Sequence, residues 1–391
     1  GQAFLKYEEV QIGRVPYGDF IYSKGFEWMT LFIRTGGASI LTSDYGKFET
    51  AVDANSKNEE LGVRISNIRP FRRSYKSGEP VEVVADLKGS SLRTLTNIEL
   101  NCAADNGDDI VIGKMTPNIV QIGENKKVFT QVKCVFPNGE LKTERDIKTV
   151  PITIGAKYDF TTKGYLDIWA MSASEKDKYY SLNGKNPLTE LNDPNIVDKE
   201  SGLIKSKFTD GPMMLGIKTD SQPLSDAGPG YGPYYPLLIK IDRNFNWNGN
   251  FVKINNVYIR VADNFELNAE RGSSTELYNR FELSSTEGRY KVYKLTQKEI
   301  DNTLNNLCGD LGITDLLSLG FTIKGDRDKE CLTRLAEGFP ILETQIRVVN
   351  LEGPELKKYS GPILEVQYQF QTDDTTFIEL RNPESIKGVV T

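Results

Sequence analysis

The stretch KVFTQVKCVF, residues 127–136, alternates apolar and other side chains with a period of two. Such alternation predicts a β-strand with one face against a core. Its apolar face consists of Val128, Val132, Cys134 and Phe136. The stretch IELNCAAD, residues 98–105, has the same pattern, and its apolar face consists of Ile98, Leu100 and Cys102. Both cysteines therefore face a core, as a disulfide across strands or between sheets requires.

The same period recurs along the chain and predicts a mainly β protein. PVEVVADL, residues 80–87, and ILEVQYQFQ, residues 363–371, are further examples. In the second stretch the apolar face consists of Leu364, Val366, Tyr368 and Phe370. Residues 59–155 contain about seven short strands with turn signals between them, which is typical of an immunoglobulin-like β-sandwich.

We predict three parts: an N-terminal β segment (1–58), an immunoglobulin-like sandwich (59–155) and a larger β-sandwich domain (156–391). The last part is expected to carry a small helical insert near 296–337. There, Thr296 and Glu299 form a capping box, which predicts a helix start. ASEKDKYYSL, beginning at Ala173, is a second, shorter helical candidate.

Three Asn-Gly pairs predict turns, because both residues tolerate positive φ. The strongest, Asn248-Gly249, predicts a long hairpin between the strands on either side of it. Residues 104–109 and 136–141 contain the other two pairs. The Gly/Pro-rich run at 226–235 precedes a predicted strand, Pro236–Ile241, and its prolines lack N–H donors, so we interpret it as a structural loop and not a phosphate site.

The four cysteines form no C-x-x-C motif, which disfavours zinc and dithiol redox sites. They fall into two local pairs, Cys102 with Cys134 and Cys308 with Cys331. We predict two disulfides and hence an oxidising compartment. The alternative is four buried thiols in a cytosolic chain.

Composition excludes several classes of function. The chain has no histidine, which removes His-dependent nucleophilic catalysis and His-based metal or haem sites. Its net charge of −6 without basic stripes argues against nucleic acid or an anionic membrane as a partner. No apolar run is long enough to cross a bilayer, for which about 18 residues are needed. No cofactor motif occurs, and we expect no cofactor.

YKSGEPVEVVADLKG and LTNIELNCAAD, at 75–89 and 95–105, resemble extracellular immunoglobulin-like domains. KYDFTTKGYLDIWAMSASEKDKYY, FTDGPMMLGIKT and YKLTQKEIDNTLNNLC resemble a group of archaeal cell-surface β-sandwich proteins. Together the resemblance covers roughly residues 60–375. It implies an exported, β-rich surface protein and assigns no functional residues.

A few local patterns are candidate sites. Asp105, Asp108 and Asp109 offer oxygen ligands for calcium, although a solvated hairpin turn is favoured. Phe245, Trp247 and Phe251 could form a sugar-stacking platform, although a hairpin with one aromatic core face is favoured. The candidates for a protein interface are Phe26, Trp28, Tyr231, Tyr234 and Tyr235. No pair of carboxylates is selected as a glycosidase dyad.

We interpret the chain as a non-enzymatic structural subunit of an extracellular or cell-surface assembly, such as a surface layer or filament. Its expected partners are copies of itself, with other surface proteins or glycans as further candidates. The alternative is a glycan- or ligand-binding adhesin. A carboxylate-dependent glycan hydrolase is a remote third hypothesis. The strands of the N-terminal segment, residues 1–58, need a sheet to join, either in the same chain or at an exposed edge of a neighbouring subunit. We expect the segment to contribute to subunit contacts by strand addition.

Overall fold

A computed structural model gives the fold for most of the chain. It describes residues 2–7, 10–16, 50–52, 62–90, 96–107, 109–123, 126–219, 222–226, 233–244, 247, 249–267, 281–300 and 341–382. The twelve strands of the N-terminal part are β1 (Gln2–Tyr7), β2 (Val10–Pro16), β3 (Thr50–Val52), β4 (Gly62–Pro70), β5 (Ser74–Lys76), β6 (Val81–Ser90), β7 (Thr96–Asp105), β8 (Ile110–Ile112), β9 (Lys114–Thr116), β10 (Ile119–Ile122), β11 (Lys127–Phe136) and β12 (Ile147–Ser172).

The remaining strands are β13 (Ile196–Asp198), β14 (Leu203–Ile204), β15 (Ser206–Phe208), β16 (Met213–Thr219), β17 (Leu224–Asp226), β18 (Tyr235–Arg243), β19 (Asn250–Ala262), β20 (Phe265–Leu267), β21 (Phe281–Glu287), β22 (Tyr290–Leu295), β23 (Leu342–Val348) and β24 (Lys357–Arg381). Helix α1 (Ala173–Asn183) begins at the N-cap Ser172, whose side chain accepts from the Glu175 N–H at 3.3 Å. A short 3-10 helix covers Pro187–Glu190. The described part is thus mainly β, as predicted.

Two unusually long strands organise the molecule. β12 has 26 residues and β24 has 25, and they pair antiparallel from Ile147↔Arg381 to Ala170↔Lys357. They lie at the middle of a twelve-stranded sheet, the central sheet, in the order β10-β7-β12-β24-β19-β22-β21 with shorter strands attached. The other strands of this sheet pair with β12 or β24, either directly or through a neighbouring strand.

Two four-stranded sheets pack on the same face of the central sheet. The first covering sheet has the order β4-β6-β11-β9, and the second has the order β16-β18-β23-β20. The first lies over the half of β12 that pairs with β7, and the disulfide joins the two layers there. The second lies over the other half, where the position of a Cβ on Gly164 is 3.1 Å from Leu215 Cβ. The result is two β-sandwiches side by side that share their longest strands.

Alternation in the sequence gives each strand its buried face. Val81, Val83, Ala85 and Leu87 of β6 are all at most 1% exposed, as are the four predicted apolar residues of β24. A shift of the strand pairing by one residue would turn the apolar face of a strand to the solvent. The burial of one face therefore fixes the register. The pattern predicted in the sequence is confirmed in these strands.

Aromatic side chains join the two sandwiches. At the junction the ring of Phe160 lies between two others. Its centroid is 6.3 Å from that of Tyr158 and 6.4 Å from that of Trp247. Trp247 also contacts the Gly62 backbone so closely that a Cβ on Gly62 would overlap its ring. The predicted domain boundary at 155/156 falls inside β12 next to this cluster, and the division into domains remains a prediction.

The predicted long hairpin at Asn248-Gly249 is wrong. β18 pairs with β16 and β23 of the second covering sheet, whereas β19 pairs with β22 and β24 of the central sheet. The chain therefore crosses from one layer to the other at this turn. Burial of Trp247 in the junction anchors the crossing. By contrast, the Asn-Gly turn at 104–109 connects β7 and β8, which do pair.

The helical insert near 296–337 lies mostly outside the described residues. Its start is described: the Glu299 and Ile300 N–H groups donate to the Thr296 carbonyl, and the Thr296 hydroxyl accepts from the Glu299 N–H at 3.3 Å. The predicted helix start at Thr296 is therefore confirmed. The shorter helical candidate at Ala173 is α1.

The predicted bond between Cys102 and Cys134 is present and joins β7 to β11, with a Cα–Cα distance of 6.2 Å. Both cysteines are fully buried. Gly113 fits against them, because a Cβ there would lie 2.6 Å from each sulfur. Cys308 and Cys331 lie outside the described residues, and their pairing remains a prediction.

We expect the Cys102→Ala, Cys134→Ala double variant to lower the free energy of unfolding. The bond closes a loop with a sequence separation of 32, for which chain entropy gives about 4 kcal/mol. Urea unfolding of the oxidised wild type and the variant would measure the difference. Equal midpoints and slopes for the two proteins would show that the bond contributes nothing to stability.

Candidate functional site

The outer face of the central sheet, opposite the covering sheets, is one continuous surface. It is formed by alternate residues of the two long strands, including the cross-strand pairs Pro151↔Phe377 and Lys163↔Glu365. The intervening residues, such as Ile152 and Leu364, face the core and are fully buried. The two ends of this outer face differ in chemistry.

At the end that lies behind the second covering sheet, polar side chains cover one another. Glu365 is 7% exposed. One of its oxygens lies 2.6 Å from Arg260 Nη1 and 3.2 Å from Lys163 Nζ. The other accepts from Gln367 Nε2 at 2.9 Å. Arg260 also pairs with Glu287 on β21, so the network connects β12, β24, β19 and β21.

This network fixes the charge of Glu365. Burial opposes ionisation, but the hydrogen bonds from Arg260 and Gln367 and the charges of Lys163 and Arg260 outweigh it. The pKa of Glu365 therefore lies below its ordinary value of 4.5. The carboxylate stays ionised at neutral pH, and this end of the outer face is closed by internal bonds.

At the opposite end, apolar side chains face outward. We call this set the apolar patch: Ile110, Ile112, Ile119, Ile147, Pro151 and Phe377. Ile112 is 64% exposed and Phe377 is 61% exposed. Contiguous exposed apolar surface on a protein marks an interaction site more often than scattered single residues do.

The register places Ile110, Ile112, Pro151 and Phe377 in neighbouring cross-strand rows, whereas Ile119 and Ile147 lie further along the same face. Ala103 pairs with Ile112 on one side and with Thr153 on the other, and Thr153 pairs with Thr375. Four neighbouring strands, β8, β7, β12 and β24, thus cross the patch. At the usual strand spacing, the width from β8 to β24 is about 15 Å. This width is enough for contact with another sheet face.

Charges of both signs border the patch. Arg381 and Glu379 on β24 are exposed and lie 3.3 Å apart. Asp105 is exposed on β7 opposite Ile110 and so lies within the patch.

The acidic turn predicted as a weak calcium site is a hydrogen-bonded hairpin turn. Asp105 Oδ1 accepts from the Gly107 N–H at 2.8 Å, and the Asn106 N–H donates to the Asp109 carbonyl at 2.9 Å. Lys148 Nζ donates to the Asn106 carbonyl at 2.5 Å and places a cation beside the turn. No group of three potential metal ligands occurs within the described ranges. Asp108 lies outside them, and the calcium site stays a prediction.

Two of the five aromatic interface candidates lie within the described residues. Phe26, Trp28 and Tyr231 lie outside the described residues. Tyr235 is half-buried, and its hydroxyl bonds to the Ser225 N–H at 3.0 Å and Oγ at 2.9 Å. Tyr234 is also half-buried and lies beneath the Arg347 guanidinium at 5.0 Å. Both tyrosines are therefore less exposed than the loop-like sequence indicated, and their interface role stays a prediction.

The sugar-stacking alternative fails for two of its three residues. Trp247 is 5% exposed and Phe251 is 8% exposed, so neither ring presents a face to a ligand. Phe245 lies outside the described residues. Of the favoured interpretation, the aromatic core face is confirmed for Trp247 and Phe251, and the hairpin is wrong.

One pair of carboxylates is brought together, with a lysine between them. Lys358 Nζ lies 2.8 Å from both Asp167 Oδ2 and Asp193 Oδ2. Burial opposes ionisation of Asp193, but hydrogen bonds from Lys358 and the Asn195 N–H hold the pKa of Asp193 below its ordinary value. A glycosidase general acid needs a raised pKa, so Asp193 lacks that property.

The apolar patch was not predicted from the sequence, but signals for it exist. In IVI, residues 110–112, both isoleucines alternate with a residue of the opposite face. Ile112 pairs with Ala103 and not with Cys102, which places it away from the core. Phe377 is out of phase with the buried Ile378 and Leu380. Apolar residues at strand positions that alternate with the buried ones are therefore the sequence signal for such a patch.

Comparisons with known proteins do not identify the chain. Neither a protein-family model nor a curated protein matches it. Among solved structures, a Salmonella enterica SafA pilin in complex with the SafB chaperone matches at 8% identity over 54% of this chain and 76% of that chain, with a TM-score of 0.17. No helix within the described residues has the length and apolar composition needed to span a membrane.

Two further structures cover more of the chain at similar scores. The full-length RrgB pilus protein from Streptococcus pneumoniae is 9% identical over 81% of this chain and 68% of that chain, with a TM-score of 0.17. The collagen adhesin CNA from S. aureus is 7% identical over 81% of this chain and 92% of that chain, with a TM-score of 0.11. These organisms are bacteria, so the archaeal resemblance gains no support. At such TM-scores the likenesses carry no argument about function.

We expect Glu365→Gln to destabilise the protein at pH 7 by about 1–3 kcal/mol, because Arg260 and Lys163 lose a buried partner. A depressed pKa stabilises the fold above the unfolded value, here 4.5, and this contribution is lost as pH falls through the lower folded value. The difference between variant and wild type should therefore shrink below pH 4.5. Urea unfolding at neutral and acidic pH measures it. The exposed Glu379→Gln variant is the control, and an effect as large at that position would contradict the assignment.

Proposed function

We propose that the chain is a non-enzymatic structural subunit of an extracellular or cell-surface assembly, with copies of itself as partners. The apolar patch carries this proposal. A set of large apolar side chains, exposed on a flat sheet face, is costly in a protein that remains alone in water. A second copy is the partner we propose, because most soluble oligomers are homo-oligomers and two-fold dimers are the commonest of them.

Other features support the same role. The Cys102–Cys134 bond is typical of proteins from oxidising compartments. The sequence contains no histidine. The long pair β12–β24 extends through both sandwiches, so two continuous strands and the hydrogen bonds between them join the two sandwiches. Such a unit suits a filament or surface layer.

We expect Phe377→Glu and Ile112→Glu each to weaken self-association. A charge buried without a partner in an apolar contact costs about 3 kcal/mol or more, which corresponds to roughly a hundredfold weaker binding. Light scattering after size-exclusion chromatography and electron microscopy of the purified protein would measure the change. Leu182→Glu is the matched control, because Leu182 is 75% exposed on α1, away from the patch.

Two outcomes would contradict the role of the patch. One is a wild-type protein that stays monomeric at high concentration. The other is an assembly that forms equally well with Phe377→Glu, Ile112→Glu and Leu182→Glu. Near-ultraviolet circular dichroism should be the same for all three variants, because each changed side chain is exposed.

The N-terminal segment gives a separate prediction. Within the described strands, β1 and β2 pair only with each other, and an isolated two-stranded hairpin is marginally stable. β3, the third described strand of residues 1–58, pairs with β15 of the same chain. We propose that β1 and β2 gain stability by joining strands of a neighbouring copy. Deletion of residues 1–20 should leave the disulfide-linked sandwich folded but reduce assembly. Deletion of residues 383–391 is the control and should leave assembly unchanged. Normal assembly of the protein lacking residues 1–20 would contradict the proposed pairing with a neighbouring copy.

A further inference from the structure

A groove with a volume of about 340 Å³ lies on the outer face of the first covering sheet. Two cross-strand rows of β4, β6 and β11 line it. The first row consists of Gly62, Ser90 and Lys127. The second row consists of Arg64, Lys88 and Phe129. The groove thus lies on three hydrogen-bonded strands, which hold its walls at fixed spacing.

Gly62, at one end of the groove, is packed against Trp247. Gly62 has φ +85°, and a Cβ there would overlap the ring of Trp247. Only glycine fits this position, because both the backbone conformation and the space exclude a side chain. Ser90 is its cross-strand partner. The volume falls in the usual range for small-ligand sites, about 300–1,000 Å³.

The described residues of its walls carry three cations and no carboxylate. Within the part of the chain that the structure describes, Arg64, Lys88 and Lys127 form no ion pair. Lysines elsewhere on the same sheet do: Lys133 lies 2.7 Å from Glu82. The next outward residue on β6, Asp86, accepts from Asn67 Nδ2 at 2.8 Å. Positive charge is therefore concentrated in the groove of a protein whose net charge is −6.

An exposed aromatic ring lies beside these cations. Phe129 is 67% exposed, and Lys88 Nζ lies 5.8 Å from the centre of its ring. The Arg64 guanidinium lies 5.1 Å above the ring of Trp247, which positions it at the groove. A cation next to an open aromatic face suits a ligand that combines a negative group with an apolar surface.

We propose that this groove binds an acidic sugar unit of a polysaccharide. The carboxylate or sulfate of the sugar pairs with the lysines and Arg64, and the C–H face of the ring packs on Phe129. Among the described residues the groove presents a single exposed ring, whereas sites for single-stranded nucleic acid stack successive bases on several rings. The size also fits one or two sugar units better than a folded partner. This inference does not depend on the proposed assembly.

Binding to immobilised polysaccharides would test the proposal with the full chain. The probes are polygalacturonate and hyaluronate (carboxylated), heparin (sulfated and carboxylated), dextran (neutral) and oligo-dT (a nucleic acid). We expect binding to at least one acidic polysaccharide, weaker at higher salt, and none to dextran. The carboxylated and sulfated probes distinguish the two sources of negative charge.

Variants identify the groove as the site. Lys88→Gln and Lys127→Gln should each weaken binding by about three- to fivefold, as expected for exposed charge pairs. Phe129→Ala should weaken it by about fivefold. The matched controls are Lys133→Gln and Phe71→Ala, because Lys133 lies 5.8 Å above the Phe71 ring in a similar pair. These controls should leave binding unchanged.

The proposal is overturned by any of four results: no binding to the acidic polysaccharides, equal binding to dextran, oligo-dT binding that exceeds all polysaccharide binding, or equal losses in the groove and control variants. The last result would show a diffuse surface effect. Thermal unfolding of each variant checks that the sandwich is intact, which the exposure of Lys88, Lys127 and Phe129 leads us to expect.

Discussion

The pairing of β12 with β24 is the constraint on which the rest of the structure depends. Over their common length the two strands show the same faces to the same sides, so one register fixes the inner face of both sandwiches. The single irregularity in this pair lies between Tyr165 and Asp167. Opposite it, Gly361 approaches the Leu166 carbonyl so closely that a side chain would not fit. Glycine at this position lets the pairing continue past the bulge.

The same constraint explains why the two ends of the outer face differ. The covering sheets use one face of the long strands, so every residue of the opposite phase is left outside. At one end, Glu365, Arg260 and Lys163 satisfy one another and close the surface. At the other end, Ile112 and Phe377 have no such cover among the described residues. Stability alone does not account for large apolar side chains at these positions, because water is an unfavourable environment for them.

Local patterns in the sequence predicted much of this fold. Alternation gave the buried faces of β6 and β24, and the phase of Cys102 and Cys134 indicated their bond, because side chains in strands alternate regardless of partner. Pairing partners were harder to predict. Asn248-Gly249 marks a turn, but whether the flanking strands pair depends on distant strands that compete for them. The groove was also not foreseen, since Arg64, Lys88 and Phe129 come together only through the register of three strands.

The two candidate surfaces lie on opposite sides of one sandwich. The apolar patch is on the outer face of the central sheet, and the groove is on the outer face of the first covering sheet; packed sheets are about 10 Å apart. Contact between copies through the patch would therefore leave the groove open. An assembly formed in this way would repeat the groove once per subunit. Individually weak contacts with a repeating acidic polysaccharide would then reinforce one another, because each bound unit raises the effective concentration of the next.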